Sequence, residues 1–530
     1  MNESTGQLLS GNEAIAFAAF DAGVTLGCGY PGTPSTEILE NLARLGAKAQ
    51  WSPNEKVALE VGLGVAYAGG ASLVTMKHVG MNVAADPLFT AAYTGVNGAL
   101  VLVSADDPGM ASSQNEQDNR RYAHAAGVAM LEPSDSQEAY DFTIKALELS
   151  HKHRSVVMLR LTTRCCHSKT IVRRWAEPME WRRVFERDIQ RMVMVPAFAR
   201  KAHRRLRGTL EEMTRWNEQS DINAVHGAGE DLGIIASGVA FMHSREACPD
   251  AKVLKLGMTH PLPMEKIRQF ASSVKRCVVI EEGDPYLVDS IRAAGIAVEG
   301  ADTMYRFGEL SVGRVRRIIA GDLSPEPQPT PGKPPQLCKG CPHRVTFEAL
   351  RDLGCIVAGD IGCYTLGVLP PFNAMDTCVC MGASISVGVG MRHSLDEKQA
   401  RKVVSVIGDS TFVHSGITGL VEMVYNPPSS GHVVIILDNG TTAMTGLQEH
   451  PGTGRTLDHQ PTNQIVFEDL IRSLGIENVH VVDPVKDHPP LRELIGECLA
   501  NGQLNVVIVR RPCLLAAKRI KQYNSSGDRN

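Results

Sequence analysis

Two stretches of the sequence decide the fold, VVSVIGDST at residues 403–411 and HVVIILDNGTT at residues 432–442. Each begins as an apolar, β-branched run of strand length and ends in small or polar residues, which is typical of a buried parallel strand followed by a turn. Because ligands of α/β sheets bind outside the carboxyl ends of the strands, both turns are expected to line a binding site. The pair predicts an α/β domain with a parallel sheet.

The two turns carry the donor atoms of a magnesium–diphosphate site. Asp409 supplies a carboxylate, Asn439 an amide oxygen and Thr441 a backbone carbonyl, and Mg²⁺ accepts such hard oxygen ligands while phosphate and water complete its shell. Gly408 and Ser410 stand where a helix is expected to begin, a position that favours contacts to a diphosphate. Either turn alone would be an ordinary turn, but the two together, each after a strand, predict the site.

Length and composition exclude several classes of protein. The 530 residues exceed what one hydrophobic core usually organises, so roughly two to four domains are expected. A net charge of −4 gives no reason to expect binding to nucleic acid or to an anionic membrane. The N-terminus has no secretory pattern, and no apolar run is long enough to span a membrane. The 13 cysteines are therefore expected as reduced thiols in the cytoplasm, some of them as metal ligands.

Hydrophobic patterning divides the chain into α/β regions. Residues 1–190 and 337–530 form the two larger regions and residues 231–325 a smaller one. A Pro-rich linker is predicted at residues 326–336, before the last region. Buried strands are predicted in GVTLGCGYPGT (23–33), ASLVTMKHVG (71–80), GALVLVSADDPG (98–109), SVVMLRLTT (155–163), DLGIIASGVAF (231–241), AKVLKLGM (251–258), RCVVIEEGDP (276–285), GCIVAGDIGC (354–363) and QLNVVIVRRP (503–512).

One run between these regions differs in composition. Residues 173–219 hold three of the four tryptophans and a dense set of arginines. A basic helical run of this kind can contact nucleic acid or a partner protein. The interspersed glutamates favour instead a solvated helical connector that packs its Trp and Leu side chains on neighbouring domains. Residues 191–230 are therefore assigned as a helical connector.

Eight motifs follow one another along the chain: GYPGTPSTE (29–37), WSPNEKVALEVGLGVAYAGG (51–70), TMKHVGMNVAADPL (75–88), LCKGCPHR (337–344), GDIGCYTLG (359–367), MDTCVCMGAS (375–384), GDSTFVHSG (408–416) and LDNGTTAMTGLQEHPGTG (437–454). The diphosphate motif of thiamine enzymes usually reads Gly-Asp-Gly and Asn-Asn, whereas here it reads Gly-Asp-Ser and Asp-Asn, as in one branch of those enzymes. The eight motifs in this order resemble one family, the α subunits of indolepyruvate:ferredoxin oxidoreductases, which depend on thiamine diphosphate.

The resemblance implies a fold and a reaction. It implies an α/β protein with two thiamine diphosphate-binding domains, the pyrimidine-binding type at 1–190 and the diphosphate-binding type at 337–530, with a smaller transketolase-C-terminal-like α/β domain between them. The implied reaction is oxidative decarboxylation of an aryl 2-oxo acid of the indolepyruvate or phenylpyruvate type, with thiamine diphosphate, Mg²⁺, and coenzyme A as acyl acceptor. A small β subunit (γ-type) in an α₂β₂ assembly and an external electron acceptor such as ferredoxin complete the expected enzyme.

The resemblance also assigns residues to the cofactor. Glu60 is a lone carboxylate in the apolar helix VALEVGLGVA, and it is the expected partner of the cofactor's aminopyrimidine ring because an apolar pocket favours the neutral acid. Glu55 is the nearest competitor, and it is expected to be solvated beside Asn54 and Lys56. The residues expected to bind the cofactor are Thr33, Glu60, Gly362, Cys363, Gly382, Gly408, Asp409, Ser410, Asn439 and Thr441.

Further residues are candidates for substrate binding and proton transfer. Thr33 lies in the tight YPGTP turn and is expected to contact cofactor and substrate. Arg120 is a candidate to pair with the substrate carboxylate, because a guanidinium fork matches a carboxylate. Arg121 is an equal alternative, and a solvated surface role is open for both. His414 and His450 flank the cofactor motifs as candidates for proton transfer or as structural histidines.

The stretch LCKGCPHR at residues 337–344 is compatible with a zinc knuckle, a redox pair, part of an iron–sulfur cluster or a plain turn. Zinc prefers four Cys or His ligands in a compact unit, and His343 is close. Oxidative decarboxylation releases two electrons, so a one-electron acceptor beside a thiamine site is chemically useful. By resemblance to related 2-oxo acid:ferredoxin oxidoreductases a [4Fe–4S] cluster is expected, with Cys378 and Cys380 as alternatives for a missing ligand. Its expected ligands are Cys338, Cys341, Cys363 and Cys513.

One departure from the family and two rival interpretations follow from the sequence. No cysteine follows Cys513, so the chain is expected to lack the C-terminal ferredoxin-like domain of the indolepyruvate family and to pass electrons to an external carrier or a partner subunit. A non-oxidative thiamine-dependent decarboxylase or ligase would need no cluster, and the four-cysteine set argues against it. A non-catalytic scaffold subunit would not need Glu60, Asp409 and Asn439.

Overall fold

The computed structural model describes residues 6–326, 335–486 and 488–525, with the backbone alone at residues 488–490, 524 and 525. The chain divides into two compact units, residues 1–327 and 328–530. Residues 327–334 of the linker predicted at 326–336 lie outside the described residues. Within the described ranges, no helix combines the length and the apolar character needed to cross a bilayer.

The first unit alternates strands and helices along most of its length. Its strands are β1 (Gln7–Ser10), β2 (Leu26–Gly29), β3 (Ala49–Trp51), β4 (Ala71–Lys77), β5 (Ala99–Asp106), β6 (Ala129–Leu131), β7 (Val157–Thr162), β8 (Lys169–Val172), β9 (Val225–His226), β10 (Leu232–Ser237), β11 (Lys252–Leu256), β12 (Met258–His260) and β13 (Arg276–Ile280). Its α-helices are α1 (Gly11–Asp21), α2 (Thr36–Arg44), α3 (Glu55–Tyr67), α4 (Gly80–Val83), α5 (Ala85–Thr94), α6 (Arg120–Ala126), α7 (Ser136–His153), α8 (Thr163–His167), α9 (Ile189–Met192), α10 (Pro196–Gln219), α11 (Gly238–Ala247), α12 (Met264–Ser272), α13 (Tyr286–Ala293) and α14 (Val312–Ala320).

The largest sheet of this unit has seven strands in the order β12-β6-β7-β5-β4-β2-β3. Six of them are parallel, and β12 joins β6 in antiparallel pairing. The central strand β5 is buried at every position, as expected for a strand that is covered on both faces. The strands predicted in the four stretches between residues 23 and 163 are confirmed.

Two smaller sheets complete the first unit. Strands β13, β10, β11 and β9 pair in that order, with β10 parallel to both of its neighbours. Strands β1 and β8 form an antiparallel pair. The three strands predicted between residues 231 and 285 are confirmed as β10, β11 and β13.

Two features of the first unit differ from the sequence-based expectation. Strand β12 comes from the region predicted as the smaller domain, yet it extends the large sheet. Residues 173–188, part of the run expected to be helical, have no regular secondary structure. This segment is held instead by side-chain contacts, such as the bond that the Trp181 indole N–H donates to the carbonyl of Ala22 (3.1 Å).

The second unit is built on one six-stranded sheet. Its strands are β14 (Ile356–Gly359), β15 (Thr377–Cys378), β16 (Val403–Gly408), β17 (His432–Asp438), β18 (Asn478–Val482) and β19 (Leu504–Arg510). Its α-helices are α15 (His343–Asp352), α16 (Ala383–Ser394), α17 (Glu397–Ala400), α18 (Asp409–Thr411), α19 (Ile417–Tyr425), α20 (Phe467–Ser473), α21 (His488–Ala500) and α22 (Ala517–Ser525).

The strands of this sheet pair in parallel in the order β15-β14-β16-β17-β19-β18. Alternate residues of β17 enter two different core clusters, Val433 and Ile435 on one face and Val434 and Ile436 on the other. Both faces of the strand are therefore buried, which explains its uninterrupted apolar sequence. The α/β class with parallel sheets is confirmed.

Candidate active site

The carboxyl ends of β16 and β17 bring together the two polar turns predicted from the sequence. In the register of these strands Gly408 pairs with Leu437. Asp409, which follows Gly408, therefore lies at the same edge of the sheet as the turn that follows β17. One carboxylate oxygen of Asp409 accepts hydrogen bonds from the backbone N–H groups of Asn439 (3.1 Å) and Gly440 (2.7 Å). Asp409 thereby joins the end of one strand to the turn after its neighbour.

Negative charge is concentrated at this point of the sheet. The Asp409 carboxylate lies 3.3 Å from Nε2 of His450, and both side chains are buried. Burial opposes ionisation of Asp409, but the charge of His450 and the backbone N–H donors hold its pKa below the ordinary value. Burial, together with the neighbouring Asp409, raises the pKa of Asp438 to about 6 although Arg510 donates a hydrogen bond to it. A cation bound here would compete with His450 and Arg510 for the two carboxylates.

The polar atoms around Asp409 fit a magnesium–diphosphate group. Asn439 and Thr441 are buried beside it, and the Asn439 side-chain oxygen accepts a hydrogen bond from the Thr441 N–H (3.1 Å). The Ser410 hydroxyl, in the first turn of the following helix, is 2.9 Å from the hydroxyl of Thr442. A carboxylate and neutral oxygen donors on two adjacent turns match the hard ligands that Mg²⁺ requires. The residues predicted for the metal therefore lie together.

A second buried carboxylate fixes the loop that begins α16. Asp360, directly after β14, accepts hydrogen bonds from the N–H groups of Gly382 (2.9 Å) and Ser384 (3.0 Å). A Cβ atom at Gly382 would lie 2.4 Å from Cβ of Ser415, and the backbone φ there is +88°, so the position requires glycine. Burial raises the pKa of Asp360, and the N–H donors oppose that effect. Sequence reasoning missed Asp360, although the pair Gly359-Asp360 after β14 repeats the pair Gly408-Asp409 after the neighbouring strand β16.

Two of the predicted glycines frame an aromatic ring. A Cβ atom at Gly362 would lie 2.3 Å from the Tyr364 ring, and one at Gly408 would lie 2.6 Å from it. The ring packs edge-on against His343, which is 3.3 Å from the side-chain nitrogen of Asn439. Burial lowers the pKa of His343 to about 4. Sequence reasoning missed Tyr364 and considered His343 only as a possible zinc ligand, because their partners here come from distant parts of the sequence.

The four cysteines predicted as cluster ligands are neighbours in the second unit. Burial raises the pKa of Cys341, and Cys338 and Cys513 raise it further. Burial likewise raises the pKa of Cys363 to about 11, with contributions from the other three thiols. The backbone N–H of Cys513 donates a hydrogen bond to the carbonyl of Asn439 (2.9 Å). The cysteines therefore adjoin the turn predicted to bind magnesium.

Cys378 and Cys380, the alternatives for a missing ligand, have different neighbours. Burial, followed by the charge of Asp360, raises the pKa of both thiols. Cys380 also raises the pKa of Cys378. Among the described residues, no three Cys, His, Asp or Glu side chains have the geometry of a single-ion site. A single Zn²⁺ needs ligands that converge at about 2.0–2.3 Å, whereas an iron–sulfur cluster is held by thiolates around several metal atoms.

The assignment of Glu60 is corrected by the burial of α3. The Glu60 side chain is 44% exposed and pairs with Lys56 one helical turn away. Glu55, in the first turn of the same helix, is only 5% exposed, and its carboxyl packs against Gly80, where a Cβ atom would lie 2.7 Å from Oε1. Asn54 caps the helix by accepting a hydrogen bond from the backbone of Val57 (3.0 Å). Glu55 is therefore the buried carboxyl group of this helix, and the prediction that it is solvated is wrong.

The assignment of Arg120 is also corrected. Its side chain is 1% exposed and pairs with Asp118 (2.5 Å) and Glu281 (2.8 Å). It also donates hydrogen bonds to the carbonyls of Glu282 (3.0 Å) and Asp284 (2.9 Å). Because these partners occupy the guanidinium, the expected pairing with a substrate carboxylate is wrong. Arg120 joins the start of α6 to the segment that follows β13.

The roles of Thr33, Arg121 and His414 stay predictions. Thr33 is half-buried in the turn after β2, where a Cβ atom at Gly32 would lie 2.9 Å from Cβ of Lys77. Arg121 is half-exposed, 3.7 Å from Asp289. His414 is buried in a π-helical turn between α18 and α19, and its Nδ1 is 2.7 Å from the hydroxyl of Ser415. Such turns often occur at functional sites.

A groove of about 1330 Å³ opens beside the turn that contains Asn439. Its walls include Asn439 itself, the aromatic side chains of Phe467 and Tyr523, and the charged groups of Glu449 and Arg455. The Arg455 guanidinium lies 4.0 Å from the centre of the Tyr523 ring. A groove with aromatic and charged walls suits a ligand that has an apolar ring and an anionic group.

Known proteins match the chain in both units. The family described as "Pyruvate flavodoxin/ferredoxin oxidoreductase, thiamine diP-bdg" matches residues 17–192, and the family described as "Thiamine pyrophosphate enzyme, C-terminal TPP binding domain" matches residues 360–509. "Indolepyruvate oxidoreductase subunit IorA" of Archaeoglobus fulgidus is 41% identical over 555 residues, 97% of this chain and 87% of that relative. The protein of the same name from Methanothermobacter thermautotrophicus is 40% identical over 551 residues, 97% of this chain and 88% of the relative.

A solved structure shares the fold. The 2-oxoglutarate:ferredoxin oxidoreductase of Magnetococcus marinus, solved with 2-oxoglutarate, coenzyme A and succinyl-CoA bound, superposes with a TM-score of 0.50. The two proteins are 17% identical, and the match covers 61% of this chain and 66% of the other. The likeness concerns the fold.

Proposed function

Because the chain belongs to the IorA family of thiamine diphosphate-dependent 2-oxo acid oxidoreductases, we propose that it oxidatively decarboxylates an aryl 2-oxo acid of the indolepyruvate or phenylpyruvate type. The observation that carries the proposal is the hydrogen bond from the backbone N–H of Cys513 to the carbonyl of Asn439 (2.9 Å), which supports a cluster ligand next to the turn proposed to bind Mg²⁺. Two electrons must leave the decarboxylated substrate, and a one-electron acceptor close to the reacting group provides for that.

The second unit would bind the diphosphate end of the cofactor. Asp409, Asn439 and the carbonyl of Thr441 would hold Mg²⁺, and Gly408 and Ser410 would contact the diphosphate at the start of the helix. Support comes from the donor set and from the buried charge of Asp409 described above. Thiamine diphosphate, when bound, supplies a nucleophilic carbon and an electron sink for cleavage of the bond between the 2-oxo carbon and the carboxylate.

Glu55 takes the role first assigned to Glu60. It would hold a proton at the aminopyrimidine ring, and that role requires a carboxyl group shielded from water. Burial of Glu55 and the cap that Asn54 places on α3 support this assignment. The exposed Glu60, paired with Lys56, has neither property.

The four neighbouring cysteines would hold a [4Fe–4S] cluster. For each turnover one 2-oxo acid and one coenzyme A would yield one acyl-CoA, one CO₂, one proton and two electrons, and the electrons would pass singly through the cluster. The ligands would be Cys338, Cys341, Cys363 and Cys513, and Cys378 and Cys380 would remain free thiols. The mutual electrostatic influence of the four thiols supports this choice.

Substrate and partner assignments complete the proposal. The groove beside Asn439 would accept the aryl group, with Phe467 and Tyr523 as its aromatic walls. The relatives are named as subunits, which supports a small β subunit and an α₂β₂ assembly. An external carrier would take the electrons onward.

The test is a balanced turnover assay on anaerobically purified enzyme with any subunit that accompanies it. We expect benzyl viologen reduction that requires both an aryl 2-oxo acid and coenzyme A, with two viologens reduced for each CO₂ released. Asp409→Asn should lose activity together with affinity for Mg²⁺ and thiamine diphosphate, whereas Asp352→Asn, at an exposed position in the same unit, should keep both. Release of CO₂ without viologen reduction would identify a non-oxidative decarboxylase and refute the proposal.

A further inference from the structure

We propose that an exposed patch beside the four cysteines is the docking surface of a small, acidic iron–sulfur carrier protein. We define the Lys–Leu patch as residues Lys339, Leu514, Leu515, Lys518 and Lys521. The inference rests on the proposed cluster, because the patch has a redox role only if the cysteines hold one. It adds to the proposed function the place at which electrons leave and the charge of the protein that receives them.

One side of the Lys–Leu patch is continuous with a proposed cluster ligand. The turn after Cys513 runs directly into α22, and the Ala516 N–H donates a hydrogen bond to the carbonyl of Cys513 (3.0 Å). Lys518 and Lys521 are three residues apart in α22, so they lie on the same side of the helix, and Leu514 and Leu515 lie in the turn before it. The leucines and lysines therefore follow the proposed ligand within one short turn and the first turns of one helix.

The other side of the patch is the Cys-x-x-Cys turn. A Cβ atom at Gly340 would lie 3.5 Å from Cδ1 of Leu514, which places the turn against the leucine. Lys339 precedes this glycine and is exposed, as is Cys338. Cys513 on one side and Cys338 and Cys341 on the other thus border the patch, and Cys338 is exposed to solvent.

The exposure and charge of the patch indicate the kind of partner. Leu514 is 47% exposed and Leu515 is 69% exposed, and neighbouring exposed apolar side chains often mark an interaction site. Residues 510–525 contain five Lys and Arg and no Asp or Glu. Arg510 and Arg511 are paired with carboxylates, whereas no ion pair within the described residues involves the three lysines of the patch. The solvent-facing charge is therefore that of the lysines.

An apolar centre with a positive rim complements an acidic protein surface around a redox centre. Complementary charge speeds and orients encounter, while a small apolar contact allows rapid release, as transient electron-transfer complexes require. One electron passes in each encounter from the reduced cluster to the oxidised carrier, and no bond is made or broken. Two encounters complete one turnover.

The test measures electron transfer from the Lys518→Glu/Lys521→Glu enzyme to two acceptors. The probes are a purified acidic ferredoxin with two [4Fe–4S] clusters and benzyl viologen. At low ionic strength we expect kcat/KM for the ferredoxin to fall on the order of tenfold or more, and added salt should lower it less steeply than in the parent. The rate with viologen and the reduction of the enzyme's own cluster by indolepyruvate should not change.

Matched variants separate local charge from net charge. Lys398→Glu/Lys402→Glu alters two exposed lysines elsewhere in the same unit by the same total charge and should leave the ferredoxin rate unchanged. Lys518→Arg/Lys521→Arg keeps the charge and should retain the parent rate. Leu515→Ser should raise KM for the ferredoxin and leave the viologen rate unaltered.

Three outcomes would overturn the docking surface. An unchanged ferredoxin rate in the Lys518/Lys521 charge-reversal enzyme is one, and an equal fall in both charge-reversal pairs is another. Loss of an accompanying subunit from that same enzyme during size-exclusion chromatography would show that the patch is a subunit interface. Failure of the proposed function looks different, because the parent enzyme would then lack iron or show no reduction by substrate before any lysine is changed.

Discussion

Replacing the two glutamates of α3 one at a time separates the catalytic from the solvated carboxyl group. Glu55→Gln keeps the size of the buried side chain but removes its acidic proton, so an acid–base step at the cofactor should slow. Glu60→Gln removes only an exposed carboxylate that pairs with Lys56. We expect a large loss of kcat in the first variant and none in the second.

The size of the effect follows from the burial of Glu55. A shielded acid–base group contributes about 10²–10⁴ in rate, which corresponds to about 3–5 kcal/mol of activation free energy. Water has little access to a side chain that is 5% exposed, so solvent cannot replace the missing proton donor. The loss should therefore fall within that range.

The assay measures exchange of the C2 proton of bound thiamine diphosphate, which is sampled by acid quench and read by NMR. Turnover with indolepyruvate is measured in parallel. Exchange reports the step that the carboxyl group assists and does not depend on the cluster or the electron acceptor. Thermal melting shows whether each variant is folded. Slow exchange in Glu60→Gln with normal exchange in Glu55→Gln would refute the reassignment.

Three other predictions concern the cluster, the first unit and pH. Cys363→Ser should lose iron and acid-labile sulfide while it still binds thiamine diphosphate, and Cys378→Ser should keep its iron; the same iron content in both would contradict the ligand set. Arg120→Gln leaves the buried carboxylate of Glu281 without its ion-pair partner and leaves Asp118 with Arg160 alone (3.6 Å), so the free energy of unfolding should fall by about 3–5 kcal/mol and the melting temperature with it; a selective rise in KM for the 2-oxo acid would instead restore a substrate role. Burial, followed by nearby positive charge, lowers the pKa of His260 to about 4, so the unfolded state binds more protons between about pH 4 and 6.5 and stability should fall as the pH drops through that window. The melting temperature of His260→Gln should change less on acidification than that of the parent, and equal changes would show that this histidine does not contribute.

The ends of the strands are the part of the site that sequence reasoning predicts best. A buried parallel strand is recognisable from its apolar run, and the residue after it lies at the ligand-binding edge wherever the strand falls in the sheet. Asp409 and Asn439 are predictable for that reason. Asp360 follows the same rule after β14.

Helical phase explains the error at Glu60. The buried positions of α3 include Glu55, Ala58, Leu59 and Gly62, which follow the spacing of one helical face. Glu60 falls outside this series although its sequence neighbours are apolar. Counting the positions of the face, rather than the polarity of adjacent residues, would have selected Glu55.

Arg120 could not have been placed from local sequence. Its partner Glu281 is 161 residues away, and the segment that carries Glu281 was predicted only as a strand followed by a turn. An arginine in a polar stretch is compatible with a surface, a substrate site or a buried ion pair. Only the tertiary arrangement separates these alternatives, because burial of the guanidinium depends on both segments.

In the proposed function, this chain couples thiamine-dependent decarboxylation to an iron–sulfur cluster held by Cys338, Cys341, Cys363 and Cys513. The most direct test is iron and acid-labile sulfide analysis of anaerobically purified protein, with visible and EPR spectra taken before and after indolepyruvate is added. We expect a brown protein with one [4Fe–4S] cluster for each chain, reduced by the 2-oxo acid. An iron-free protein that still binds thiamine diphosphate and releases CO₂ from the acid would contradict the proposed cluster.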